Sequence, residues 1–578
     1  MNAAVSDNKR YNQALTWGTI ALFAIPPLVD VYLHGWRRVF SYFAADAFYY
    51  LTVARNFSKL GFYTFDQERP TNGFHPLWQW FLSVLFVVRD HLGMSEPVTL
   101  VSIFIVNLII IAFALWLILH GLAYRYRRIP AIFLLLPVGL WGFGPGLMTD
   151  SHYGNFWSYI NGMESGLSLV AFSALVYLVL KHGRVTSVPI IPAGAILSIL
   201  VLARLDNAFV LVAFSAPFIM KWATTRSGSY IRRLAAILVL PMLVLAGYGC
   251  LSWLQSSSPF PVSGTIKTSF PKPDNKWSPI WRCLQGNCEP PEVKMLLWRY
   301  TQLLLPLSLS VLGGAFLLSR LQQYLQRRIT HEDPIEDLAI ITGLLVIFSH
   351  GYYLLFVPIW DQGHWYFPIS ILAISLFGFI AINNLVSRVK LSRLATIAIR
   401  CAAPIAVVLC FIYSFADPSF ELIYASLINK EQKSECAGEL CMRAVYANTL
   451  DEGLSVVKHY GPTLPKLVEF DDGILAYSIG LKTMSGLGFN LDFEAARHLK
   501  QGTLLPLAYE RGFDRIASRV YLHDLELDAK SSSDEIRRVL KPIFFLKRED
   551  LDQFDFSVDY QSQDKSFFIF KISRHDSR

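Results

Sequence analysis

No Gly-rich Walker loop occurs in the chain, so a nucleotide ligand is not indicated. Long low-complexity tracts and internal repeats are also missing, and with them the repeat symmetry often built into secondary transporters. Cysteine is sparse, at 7 in 578 residues, and no histidine completes a zinc-ligand spacing around any of them. Charge is thin as well: 17% of residues are Asp, Glu, Lys or Arg, against 53% hydrophobic and 14% aromatic, with a mean hydropathy of +0.38. That balance exceeds the apolar content of an ordinary soluble domain and marks a polytopic membrane protein.

What is present instead is a series of apolar segments long enough to cross about 30 Å of hydrocarbon. They run over 16–33, 98–119, 129–148, 166–180, 188–205, 208–220, 234–254, 295–318, 338–357, 368–386 and 394–415, which gives about eleven spans. Lys/Arg clusters recur in every second loop, at 9–10, 125–128, 181–184, 221–233, 320–328 and 388–400. The positive-inside rule puts those loops, and the N-terminus, in the cytoplasm. The net charge of +8 then faces anionic lipid, so no nucleic-acid partner is implied. The apolar run "HPLWQWFLSVLFVV" at 75–88 is too short for this scheme and reads as an interfacial or half-inserted helix in the first outer loop. The first apolar segment has no small-residue cleavage site before His34 and is expected to stay as a signal anchor.

An odd number of spans starting inside sends the C-terminus out of the cytoplasm. The chain therefore divides into a transmembrane domain over 1–416 and an extracytoplasmic α/β domain over 417–578. In the second, "NLDFEAARHLKQ" and "SSDEIRRVLK" carry helical patterns, "KLVEF" and "PIFFLKR" are apolar runs, and "FDFSVDYQSQDKSFFIFKI" reads as a β-hairpin. Cysteine placement agrees. Cys283/Cys288 and Cys436/Cys441 form two short-spaced pairs on the side assigned as external, where disulfides persist, while Cys250, Cys401 and Cys410 lie in or near spans; the plain alternative is free buried thiols throughout.

The polar residues that could carry chemistry concentrate on that outer side. In "DAFYYLTVARNF", read as a helix at the membrane surface, Asp46, Tyr49, Tyr50, Val53 and Phe57 share one face and Arg55 points away. An acid lacking a local cation among aromatics is expected to have a raised pKa and could accept a proton from a substrate hydroxyl; the plain alternative is an N-cap. "TNGFHPLW" makes a turn at Asn72-Gly73, and His75 opens an apolar helix where it could donate to a phosphate or hydroxyl. The second outer loop offers His152, Asn161 and Glu164, the last either orienting sugar hydroxyls or capping the helix near Gly166. Arg204 and Asp206 fall where two spans meet, as an ion pair or a ligand site. In "PFPVSGTIKTSFPKP" a Pro-flanked Ser-Gly-Thr turn precedes Lys267 and suits an anionic lipid phosphate. Asp361, His364 and Tyr366 stand among aromatics in the fourth loop.

With these motifs in place the chain resembles the GT-C glycosyltransferases, the polytopic class that includes protein O-mannosyltransferases, aminoarabinose transferases and cell-wall arabinofuranosyltransferases. The resemblance rests on "DAFYYLTVARN", "TNGFHPLW", "NGMES", "PVSGTIK", and "FDDGILAYSIG" before "MSGLG". It implies that Asp46 is the catalytic base or a ligand of a divalent cation (Mg²⁺, Mn²⁺ or Ca²⁺), and that the donor is a polyprenyl-phosphate sugar. Two features depart from the class pattern. Ala45 and Ala47 flank Asp46 where many members have paired acids, and a single Pro76 follows His75 where O-mannosyltransferases have two prolines.

The expectation is therefore inverting transfer of a sugar from a polyprenyl-phosphate carrier to a hydroxyl on an envelope glycan, lipid or protein, on the outer face of the cytoplasmic membrane. Asp46 is the base. Lys267, Arg204, His75 and His364 are candidates for the donor phosphate, and Tyr50, Asn161, Glu164 and Tyr366 for acceptor or sugar. A lipid-linked oligosaccharide transferase or ligase would share this site, whereas a secondary transporter would place its polar groups near the midplane.

Overall fold

The computed structural model describes residues 2–44, 46–125, 159–269, 334–357, 439–461, 464–470, 473–480, 482–486, 488, 490–519, 527–543, 551–563 and 567–575, with isolated positions between 369 and 405. In chain order its helices are α1 (Asn2–His34), α2 (Ala47–Leu60), α3 (Pro76–Leu92), α4 (Glu96–Arg125), α5 (Ser165–His182), α6 (Ile190–Ala203), α7 (Ala208–Thr225), α8 (Gly228–Ser256), α9 (Val262–Lys267) and α10 (Pro334–Phe356). The C-terminal part adds α11 (Glu439–Tyr460), α12 (Ile474–Ile479), α13 (Phe493–Gln501), α14 (Leu504–Glu510) and α15 (Ser533–Ile543). The chain forms two compact units: Met1–Tyr42, Leu100–Ala246 and Ser269–Cys441 make the first, and Phe43–Thr99, Gly247–Thr268 and Met442–Arg578 the second.

Among the described residues five segments are helical, long and apolar enough to cross a membrane: Tyr11–His34, Glu96–Arg125, Ser165–His182, Leu205–Thr225 and Gly228–Ser256. Ile190–Ala203 and Asp337–Tyr353 are shorter apolar helices. The expected spans at 129–148 and 295–318 lie outside the described residues, as do nearly all of 368–386 and 394–415, so about eleven is not matched one by one. The expected span over 188–205 is trimmed at its C-terminal end. Arg204 adopts extended backbone, φ −149°, and stops α6 at 14 residues, about 21 Å of helix, before a single 3-10 turn leads into α7.

In the second unit a five-stranded sheet takes the order β2-β1-β3-β5-β4, with β1 Leu467–Glu469, β2 Thr483–Ser485, β3 Arg515–Arg519, β4 Phe554–Gln561 and β5 Phe567–Arg574. β2, β1 and β3 run parallel, and β5 and β4 complete it antiparallel. The period-2 alternation of strands sorts the side chains. Phe568, Phe570 and Ile572 of β5 join one apolar core with Val468, Ile516 and the helices α13 to α15, while Phe567 and Ile569 join Leu467, Ala517 and Val456 of α11 on the other face. The expected α/β character, the hairpin and the helices at "NLDFEAARHLKQ" and "SSDEIRRVLK" are thus present. Asp492 caps α13 by accepting from the Glu494 and Ala495 N–H groups, each at 3.1 Å. Of "PIFFLKR", 544–548 lies outside the described residues.

Candidate active site

The surface helix expected after Asp46 is α2, and its inward face fastens it to the C-terminal part of the same unit. Tyr49 lies against Gly473, where φ is +80° and a Cβ would come within 2.9 Å of the tyrosine ring, so this position needs glycine twice over. Phe48 meets Tyr477 at 5.6 Å between ring centroids. Arg55, buried, donates to the carbonyls of Tyr477 and Ala476, the latter at 2.9 Å, near the C-terminal end of α12. Burial pushes its guanidinium down to about 10, so it remains charged at neutral pH. Glu469, equally buried at the end of β1, accepts from the N–H groups of Leu475 and Ala476 at 3.0 and 3.1 Å, satisfying the other end of α12.

Asp46 directly precedes α2 with helical backbone, φ −58° and ψ −20°, and its side chain makes no cap hydrogen bond. The N-cap alternative is therefore set aside. Its Oδ2 lies 3.5 Å from Lys267 Nζ, with the side chains 14% and 13% exposed. This corrects the expectation of an acid without a local cation. Arg55 does turn away, as the helix periodicity requires, but a cation 221 positions along the chain takes the place it leaves. Lys267 ends α9, which is rooted in the C-terminal core. Val262 is fully buried there, Ile266 packs against it, and at Gly488 a Cβ would meet Leu499 at 2.3 Å and Ile266 at 3.0 Å. The "PVSGTIK" and "MSGLG" motifs are thus parts of one packed contact.

The other candidates fall as follows. The backbone N–H of His75, the N-cap of α3, donates to Tyr50 Oη at 3.3 Å, and Gln79 Nε2 donates to the Tyr50 carbonyl at 3.2 Å, so these two residues join α2 to α3. In the first unit Asn161 is buried in its own turn, accepting from Met163 N–H at 3.0 Å and donating to Ser165 Oγ at 3.2 Å. Glu164 makes no side-chain cap; its Oε1 accepts from Arg204 Nη1 at 2.8 Å. Arg204 Nε donates to Asp206 at 3.0 Å, and Tyr353 donates to Asp206 as well. The ion-pair alternative for Arg204 and Asp206 is the arrangement seen, enlarged by Glu164. His152, Asp361, His364, Tyr366, Cys283, Cys288 and Cys436 lie outside the described residues, and so does the side chain of Cys441.

Some residues escaped the sequence reading. Asp30, buried within α1, accepts from Arg38 Nε at 2.8 Å and Tyr42 Oη at 2.7 Å, with His34 Nδ1 at 2.8 Å. An acid inside an apolar span followed by "WRR" was the available signal. Asn72 and Arg55 act through partners 180 or more positions away and leave only weak local traces, whereas Glu469 binds N–H groups six and seven positions further on.

Among the described residues no three of His, Cys, Asp and Glu converge, and the Asp46 carboxylate faces an ammonium group in place of further acids. What remains is a carboxylate and an ammonium, partly accessible and held on separate helices, a set suited to acid–base work beside an anionic leaving group.

No protein-family model and no curated protein sequence matches the chain. Among solved structures it is similar to ArnT from Cupriavidus metallidurans bound to undecaprenyl phosphate, at 11% identity and a TM-score of 0.51, covering 96% of this chain and 98% of that one. It is also similar to the oligosaccharyltransferase of Archaeoglobus fulgidus in the apo form (11% identity, 99% and 74% covered, TM-score 0.40). A third is AglB from Archaeoglobus fulgidus in complex with an inhibitory peptide and a dolichol-phosphate (10% identity, 92% and 70% covered, TM-score 0.36). The ArnT likeness runs over nearly both chains and shows a shared fold.

Proposed function

We propose that this chain is a glycosyltransferase that moves a sugar from a polyprenyl-phosphate carrier to a hydroxyl of an envelope glycan, lipid or protein, with inversion, on the extracytoplasmic side of the cytoplasmic membrane. The observation that carries this reading is the partly accessible Asp46–Lys267 pair on a GT-C fold; the undecaprenyl phosphate of the ArnT structure supports the donor class. Asp46 takes the proton of the acceptor hydroxyl as its oxygen bonds to the anomeric carbon. The bond from that carbon to the carrier phosphate breaks, and its electron pair leaves on the phosphate, whose charge Lys267 meets. A single base suffices, because no covalent sugar–enzyme intermediate forms.

The test is mass spectrometry of lipid extracts and envelope glycans from a deletion strain. Accumulated polyprenyl-phosphate sugar and a glycan, lipid or protein lacking one sugar are expected; an unchanged envelope would overturn the reading. Loss of a whole oligosaccharide would point to an oligosaccharide transferase on the same fold. The orientation has its own check. An impermeant thiol reagent applied to reduced spheroplasts should label Cys283, Cys288, Cys436 and Cys441, and labelling only after permeabilisation would invert the topology.

A further inference from the structure

We infer that Asn72 is the positioning residue that sets the distance between Lys267 and Asp46, an inference that rests on Lys267 meeting the donor phosphate. Helix α9 has only six residues, about 9 Å, far below the length at which a helix is stable by itself. Its place comes from its contacts: Val262 and Ile266 pack in the C-terminal core, and its first residue is held by a hydrogen bond. The chain entering it carries Pro259 and Pro261, which have no N–H, and Ser257 in left-handed backbone at φ 58°. Within the turn Ser258 Oγ donates to the Phe260 carbonyl at 2.8 Å and Ser252 Oγ donates to the Ser258 carbonyl at 2.8 Å.

Asn72 adds the bonds that tie this turn to the start of α9 and to a distant loop. Its side chain is buried, with Oδ1 accepting from the N–H of Val262, the first residue of α9, at 3.0 Å. Nδ2 faces Ser252 Oγ at 2.6 Å, the Phe260 carbonyl at 3.0 Å and the Ser258 carbonyl at 3.3 Å. One amide thus ties the end of α8, the turn and the start of α9 together, satisfying an N–H that a helix start otherwise leaves to solvent. On its other side Asn72 belongs to the loop that runs through His75 into α3, and α3 is bonded to α2 through Tyr50. The residue therefore connects the helix that ends in Lys267 with the one that begins beside Asp46. Ala in its place keeps the backbone but removes every one of these bonds.

A water-soluble carbodiimide reads this geometry directly, since it condenses a carboxylate and an amine in contact into an amide with loss of water. Purified full-length protein is expected to give the Asp46–Lys267 cross-link by peptide mass spectrometry. In Asn72→Ala its yield should fall about tenfold, and Kd for undecaprenyl phosphate should rise about tenfold, the scale of a lost buried hydrogen bond. A merely structural role would lower the amount of folded protein and leave both readings of the folded fraction unchanged, and that result would overturn the inference. Should Asn72→Ala not fold, Val262→Pro removes the N–H that Asn72 accepts from. Proline is tolerated at the first helical position, and Pro261 already has the extended backbone a following proline requires. The same losses are expected there, and unchanged values overturn the inference. A wild-type protein with no cross-link would instead remove the Asp46–Lys267 pair on which the proposed function stands.

Discussion

Arg204 and Lys267 are both cations facing carboxylates, and they are held in opposite ways. Arg204 is closed in: 3% exposed, 2.8 Å from a Glu164 that is fully buried, and bonded to Asp206 as well. Lys267 is less enclosed: its Nζ lies 3.5 Å from Asp46, and the two side chains are 13% and 14% exposed. Burying two charges is repaid only when short, multiple hydrogen bonds satisfy them, and in the Arg204 cluster the guanidinium bonds Glu164 and Asp206 while Tyr353 donates to Asp206. The Asp46 pair does not need such bonds, because it stays partly solvated, and a long contact is one that an incoming phosphate and hydroxyl can replace. Charges of the same kind thus form a closed cluster in one unit and, in the function proposed above, the reacting pair in the other.

The sharpest way to break this comparison is Asp46→Asn, which keeps the shape and removes the base. Turnover of a polyprenyl-phosphate sugar should fall about 10² to 10⁴-fold, with thermal stability and Kd for undecaprenyl phosphate retained. Near-normal transfer would sink the catalytic assignment. Next in size, Arg204→Met strands the buried Glu164 carboxylate beside Asp206 and should cost about 3–5 kcal/mol, read as a lowered melting midpoint in detergent. If stability holds and only undecaprenyl phosphate binding weakens, Arg204 is a ligand and the contrast collapses.

How much of this was legible in the sequence depends on the range over which each feature is fixed. The spans and α2 follow from local apolar runs and helical spacing, and Asp46 stood out because an acid beside aromatics at a membrane edge is costly. The hairpin followed from alternation in "FDFSVDY" and "FFIFKI". Partners were not legible. Arg55 finds its carbonyls more than 400 positions away, and Lys267 reaches Asp46 across 221. No periodicity encodes contacts of that separation, so a helix-face argument showed where Arg55 does not point without showing what replaces it. Glu164 failed as a cap for the same reason: its cation comes from another helix end.

A smaller effect sharpens the open side of the comparison. Lys267→Ala removes a charged hydrogen-bond donor, worth about 1.5–3 kcal/mol, so Kd for undecaprenyl phosphate should rise about ten- to a hundredfold while folding is preserved. An unchanged Kd in well-folded protein would take Lys267 out of the donor site.

The smallest effect concerns a third kind of charge contact, neither closed in nor catalytic. Glu68, near the surface of the second unit, bonds both Lys466 at 2.7 Å and Lys482 at 2.9 Å. Partial burial would raise its carboxyl, but the two lysines outweigh that and hold it below the usual carboxylate range. A depressed value means that the unfolded chain binds the proton more readily. The stabilisation is therefore complete above an ordinary glutamate pKa of about 4.3 and is lost as pH falls through the depressed folded value. Because solvent screens such pairs, its size stays within about 1 kcal/mol. Glu68→Gln should accordingly lower the melting midpoint slightly at pH 7 and in low salt, with the gap to wild type closing in acid and in high salt. A gap that instead widened as the pH dropped would mean that burial, not the lysines, governs this carboxylate.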